Sequence, residues 1–153
     1  MIDASAWKPH VTVAAICEQD GRFLMVREVV GGREVLNQPA GHLDPGESLE
    51  QAVIRETLEE TAYDFTPQRL CGVYRSIPSQ GEDQTIIRFC FSGRAGKQHD
   101  RALDTGIIRA EWLTLDELKQ TQSEHRSEMV LQTVLDYLQK PSYPLDVFVA
   151  PFK

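Results

Sequence analysis

Glu56, Glu59 and Glu60 are the residues of this sequence whose types and spacing point most directly to chemistry. On a helix they stand at i, i+3 and i+4, so three carboxylates share one face and repel one another by roughly a few tenths of a kcal/mol per pair. A divalent cation offsets such a cluster. Mg²⁺ takes hard oxygen ligands and shares its shell between one or two protein carboxylates, waters and substrate phosphates. The competing reading is a solvated acidic surface with no ligand. The helix itself is well specified: Ser48 stands at an N-cap position with Gln51 three residues on, a capping-box spacing, and neither Gly nor Pro interrupts Leu49 to Thr61.

The wider stretch Gly41 to Tyr63 reads GHLDPGESLEQAVIRETLEETAY. Gly41, five residues, Glu47, seven residues, Arg55-Glu56, two residues and Glu59-Glu60 resemble the signature of the Nudix hydrolase superfamily, G-x5-E-x7-R-E-U-x-E-E-x-G-U with U a bulky apolar residue. Two positions depart from it. Thr57 replaces a bulky aliphatic residue, but its hydroxyl can bond back to the Val53 carbonyl and so be buried without an orphan donor. Ala62 replaces the second glycine just past the helix, where a left-handed cap costs a residue with a Cβ roughly 1 kcal/mol. Neither is a predicted ligand.

The resemblance implies an α/β/α sandwich with a mixed central β-sheet. It implies Mg²⁺, with Mn²⁺ as the alternative, held by Glu56, Glu59 and Glu60 with the Ala40 carbonyl, and an ion pair between Glu47 and Arg55 in which Glu47 can also help hold metal. The general base it implies is a motif glutamate or an acid in a later loop; we favour Glu59, with Asp104 as the distal possibility, and Glu60 and Arg55 complete the expected catalytic set. KPHVTVAAI near the start, NQPAGHL before the helix and YPLDVF in the tail look like the NudJ phosphatase branch of the superfamily. That branch acts on nucleoside di- and triphosphates and on hydroxymethylpyrimidine pyrophosphate, releasing orthophosphate. The alternatives are a pyrophosphohydrolase of another nucleoside diphosphate derivative such as ADP-ribose, and a non-catalytic nucleotide-binding module.

Composition bounds these readings. A chain of 153 residues fits one domain, residues 1–153. With 41% hydrophobic residues, no long apolar run and no charged-then-apolar leader, no membrane span or signal peptide is expected, and the cytoplasm is the default compartment. The formal net charge of −7 speaks against a nucleic-acid groove, capped RNA included. The expected partner is therefore a small-molecule di- or triphosphate, bound by a monomer or homodimer. Cys17, Cys71 and Cys90 are odd in number and read as buried reduced thiols.

The flanking elements must position this motif. Residues 11–16, VTVAAI, and Phe23 to Val26 read as strands joined by the Asp20-Gly21 hairpin signal, and Gly31-Gly32 marks a second turn before Val35-Leu36. His10 could bind a phosphate or a base, or serve as a structural hydrogen-bonder at a strand start. In LNQPAG, Pro39 keeps Gln38 extended, and the small Ala40 and Gly41 let backbone approach a ligand, which makes Gln38 a substrate-binding candidate. Leu70 to Ile77 and Thr85 to Phe91 read as strands around a polar loop, Pro78 to Asp83. Arg88 lies inside the second, so its charge must meet solvent, a carboxylate or a substrate phosphate. Gly93 to Gly106 reads as a long polar loop carrying His99, Asp100 and Asp104. Ile107 to Leu113 closes the sheet, Thr114 and Glu117 open a short helix, and Ser127 to Gln139 forms a last helix with Val130, Leu131, Val134, Leu135 and Leu138 on one face.

Overall fold

The computed structural model describes residues 2–78 and 83–152; most of the expected Pro78 to Asp83 loop, including Gly81, lies outside them. The strands are β1 (His10–Gln19), β2 (Arg22–Val30), β3 (Arg33–Asn37), β4 (Ala40–His42), β5 (Tyr63–Ser76), β6 (Ile86–Gln98), β7 (Ile107–Thr114) and β8 (Tyr143–Pro144). The helices are α1 (Leu49–Thr61), α2 (Leu115–Gln120) and α3 (Met129–Gln139). The sheet runs β3-β2-β1-β6-β5-β8, with β4 on β1 and β7 on β2; β1 and β6 are parallel and the other pairs antiparallel. It is the expected mixed sheet.

Local chemistry sets the first turns. Asp20 and Gly21 both take positive φ, 52° and 73°, as do Gly31 and Gly32, 56° and 77°, the primed-turn geometry whose twist suits a tight hairpin. Strand β1 then changes partner along one edge. Glu18 and Gln19 pair with β2, whereas Thr12, Val13 and Ala14 pair with β4. The sheet therefore splits along β1, and the chain entering α1 runs from the split.

Alternation on β1 sorts the core onto two faces. Ala14 and Ile16 pack with Leu118, Val130 and Val134 from α2 and α3, and Val13, Ala15 and Cys17 pack with Ala52 and Val53 of α1. Helices thus cover both faces. All three cysteines are free and buried. The tail docks as expected: Tyr143 and Pro144 pair with β5, and Phe148 stacks 5.6 Å from Phe91. Among the described residues no helix is long and apolar enough to cross a membrane.

Three expectations need correction. Strand β5 begins at Tyr63 rather than Leu70, because register shifts at Tyr63/Phe65, Pro67/Arg69 and Leu70/Gly72 let a proline-bearing, polar segment stay paired. Its partner β6 runs on to Gln98, so the loop taken to start at Gly93 shrinks to 99–106; GRAGKQ forms strand because β5 supplies its hydrogen bonds. Helix α3 starts at Met129, and Leu138 is exposed while Thr133 and Asp136 are buried, a rotation of the expected stripe. Gly93 shows how tight the β5–β6 ladder is, since a Cβ there would overlap the Thr66 carbonyl oxygen and the Phe65 ring. Gly93→Ala is expected to destabilise the protein by about 2 kcal/mol or more in urea unfolding, because backbone rather than a flexible side chain must yield; an unchanged midpoint would contradict this packing.

Candidate active site

Helix α1 is built as its sequence specifies. The Ser48 hydroxyl accepts from Gln51 N, and the Gln51 side chain accepts from Ser48 N. Thr57 is fully buried, with Oγ1 donating to the Val53 carbonyl at 2.7 Å. Ala62 takes the left-handed cap at φ 63°, and its N–H donates to the Leu58 carbonyl.

This helix delivers its acids beside β4. Glu60, 6% exposed, accepts the Ala40 N–H through Oε1 at 2.7 Å. Glu56 lies over Gly41 so closely that a Cβ on residue 41 would overlap its carboxyl group. Gly41 is therefore needed because a carboxylate occupies the space of its missing side chain. Arg55 is the counter-charge. It donates to Glu47 Oε1 at 2.6 Å and Oε2 at 3.0 Å, to Glu56 at 2.9 Å, to Glu59 at 3.2 Å and to the His42 carbonyl at 2.9 Å. The Asp104 N–H donates to the carbonyl of Glu59 at 3.0 Å, which brings the distal acid to the same end of the helix.

The electrostatics follow from burial and Arg55. Hydrogen bonding from Arg55 holds Glu47 below the usual carboxylate range, and Glu47 in return holds the guanidinium firmly charged. Burial pushes Glu56 up, although Arg55 opposes it and Glu59 and Asp104 add to it. Burial likewise pushes Glu60 up, to about 8, against the Ala40 hydrogen bond and helped by the charges of Glu28, Glu56 and Asp104. Burial thus disfavours ionisation of both Glu56 and Glu60.

The chain matches the NUDIX domain family over residues 7–133. The chain belongs to the Nudix family. This Nudix hydrolase is 34% identical to phosphatase NudJ of Escherichia coli over 147 residues, which span 92% of this chain and 91% of that protein. A Nudix hydrolase structure from Nitrosomonas europaea superposes with a TM-score of 0.90 at 46% identity, covering 94% of this chain and 98% of the other. A bifunctional NMN adenylyltransferase/ADP ribose pyrophosphatase from Francisella tularensis, complexed with AMP and a manganese ion, shares the fold at a TM-score of 0.72 and 23% identity, over 90% of this chain and 43% of its own.

Nudix hydrolases generally use divalent metal ions. The donor set of this Nudix chain fits one chemically, since Glu56, Glu59, Glu60 and Asp104 offer only hard oxygens. Among the described residues these side chains do not form a ready-made cluster of three ligands. Glu56 Oε1 and Glu59 Oε2 accept from Arg55 and Glu60 Oε1 accepts from Ala40, so each carboxylate meets these partners through one of its two oxygens. Ala40 meets the acids through its amide N–H.

The expected substrate residues part company. Gln38 is 1% exposed, and its Nε2 donates to the Val130 carbonyl at 2.7 Å and Thr133 Oγ1 at 3.2 Å, which ties it to α3 and leaves its Oε1 without a partner among the described residues. His10 is exposed at the start of β1, edge-on to His42 with ring centroids 5.7 Å apart. Arg88 is buried and touches Asn37. Glu28, Asn37 and Arg126 were not singled out from sequence, yet Glu28 Oε1 accepts from Arg126 at 2.8 Å and lies within electrostatic reach of Glu60. Their signal was the charged pair Arg27-Glu28 inside FLMVREVV, both buried.

The pH dependence has a definite sign. Glu60 in the folded chain keeps its proton up to about 8, whereas an unfolded glutamate releases it near the ordinary value of 4.5. Between these values the folded state binds more protons, so the Glu60 contribution to stability declines as pH rises. With chelator present, the stability of wild type relative to Glu60→Gln is expected to fall from pH 5 to pH 8 in denaturant titrations; a pH-independent difference would contradict this assignment.

Proposed function

We propose that this protein hydrolyses phosphoanhydride bonds in nucleoside di- and triphosphates and in hydroxymethylpyrimidine pyrophosphate, with Mg²⁺, releasing orthophosphate in the manner of the NudJ branch. The observation that supports this reading is the gathering of Glu56, Glu59, Glu60 and Asp104 within mutual electrostatic reach beside Gly41, in a chain alike to phosphatase NudJ over nearly its whole length. The same reading takes the chain as a single-domain cytoplasmic enzyme acting, as monomer or homodimer, on small-molecule di- and triphosphates.

A bound divalent cation supplies neutralisation of the phosphate oxygens and a more acidic water. The residues do the rest. Glu56 and Glu60 present carboxyl oxygens as ligands, and their burial excludes competing water. Glu59, whose side chain keeps 29% exposure against 13% for Glu56, is the more accessible carboxylate and takes the proton of the attacking water. Arg55 keeps these acids together before substrate arrives. Asp104 is the alternative proton acceptor.

The test is release of orthophosphate and pyrophosphate across nucleoside di- and triphosphates, ADP-ribose and hydroxymethylpyrimidine pyrophosphate. Wild type is expected to give orthophosphate, and Glu59→Gln to lose roughly a thousandfold in rate, about 3 to 5 kcal/mol of transition-state stabilisation, while folding normally. Gly41→Ala is expected to lose about a hundredfold by displacing the Glu56 carboxyl group, with little change in unfolding midpoint. Full turnover in Glu59→Gln would refute its role as base. AMP from ADP-ribose would move the activity to the ADP-ribose class, and pyrophosphate from nucleoside triphosphates would make it a pyrophosphohydrolase instead of an orthophosphate-releasing phosphatase.

A further inference from the structure

Arg88 carries a charge that the protein does not neutralise. The residue is 8% exposed, and its Nε has no hydrogen-bond partner among the described residues. Its other contacts are weak: Nη2 donates to Asn37 Oδ1 at 3.3 Å, and Nη1 approaches Met129 Sδ at 3.7 Å. No described carboxylate lies within the 4.0 Å of an ion pair with it. A guanidinium cannot escape by losing its proton, and burying it unpaired is costly. Anchoring the start of α3 does not require that cost, since any apolar side chain would pack against Met129.

The nearby acids are engaged elsewhere. Glu28 Oε1 accepts Arg126 at 2.8 Å and lies 3.5 Å from Asn37 Nδ2, and Glu60 accepts the Ala40 N–H. Burial disfavours the charged form of Arg88 and the nearby Arg126 adds to that, while Glu60 and Glu28 favour it from a distance, which places the guanidinium in the field of these acids without touching them. Register gives the separation. Thr12 of β1 pairs with Arg88 on one side and with His42 of β4 on the other, so Arg88 stands two strand spacings, about 10 Å, from His42 along the sheet, on the face of Ala14 and Ile16 that α3 covers. A diphosphate bound through a cation at the acids reaches across such a gap with its second phosphoryl group.

On the hydrolase reading above, we infer that Arg88 is the substrate's anion anchor, taking the phosphoryl group that is not attacked while the α1 carboxylates serve the one that is. The fork of Nε and Nη matches a tetrahedral oxyanion in two parallel hydrogen bonds, and Nε is the donor that the described residues leave without a partner. Asn37 orients the guanidinium through Nη2. Arg126, 49% exposed on Glu28, flanks the approach with a second positive charge.

The test titrates full-length protein with inorganic pyrophosphate in the presence of Mg²⁺, reading heat of binding and unfolding midpoint, beside steady-state kinetics with ADP. Arg88→Met is expected to bind pyrophosphate at least about thirtyfold more weakly and to lose kcat/KM mainly through KM. Without anion its unfolding midpoint is expected to equal or exceed that of wild type, because a lone buried charge has become an apolar side chain. Arg88→Lys keeps charge without the fork and is expected to weaken binding about tenfold; it decides the matter if Arg88→Met does not fold. Wild-type pyrophosphate affinity in either folded variant, or no pyrophosphate binding by wild type, would overturn the inference. If wild type hydrolyses no substrate, the hydrolase reading fails by itself, and the pyrophosphate titration still decides the role of Arg88.

Discussion

Arg55 holds together acids that would otherwise force one another apart. Its guanidinium meets Glu47, Glu56 and Glu59 and the His42 carbonyl, so one cation neutralises carboxylates on a helix and on the loop before it and ties them to the end of β4. Like charges on one solvated helix face cost roughly a few tenths of a kcal/mol per pair, and the cost grows where burial removes water from them. The acidic face therefore depends on this interaction, and so does the geometry around it. Gly41 makes room for Glu56, and the Ala40 amide gives Glu60 a donor.

What was legible in the sequence was what the chain decides locally. The capping box at Ser48, the primed turns at Asp20-Gly21 and Gly31-Gly32, and the return hydrogen bond of Thr57 all follow from residues within four positions of one another, and the structure has each of them. Ala62 adopts the left-handed cap despite its Cβ. The Glu47–Arg55 pair was legible through the spacing of the family signature.

The remainder was set by partners distant in sequence. Polar GRAGKQ becomes strand because β5 pairs with it, and β5 starts early because bulges absorb Pro67. Gln38 looked available to a ligand since its neighbours are small, but small neighbours carry no direction, and its amide turns to α3. Arg88 could be recognised as a charge needing an answer. Which answer depended on Asn37, Glu28 and Arg126, which β2, β3 and the segment after α2 bring together: Arg126 N donates to the Leu36 carbonyl at 2.9 Å, fixing that segment beside the end of β3.

On the proposed function the α1 acids take up a divalent cation, and Glu60, which burial keeps protonated up to about 8, gives up its proton when they do. Calorimetric titration of the metal-free protein with Mn²⁺ near pH 7, repeated in buffers of different ionisation enthalpy, counts the protons expelled on loading. Wild type is expected to release about one proton and Glu60→Gln close to none. Metal binding with no proton release in wild type, or equal release in both, would contradict this.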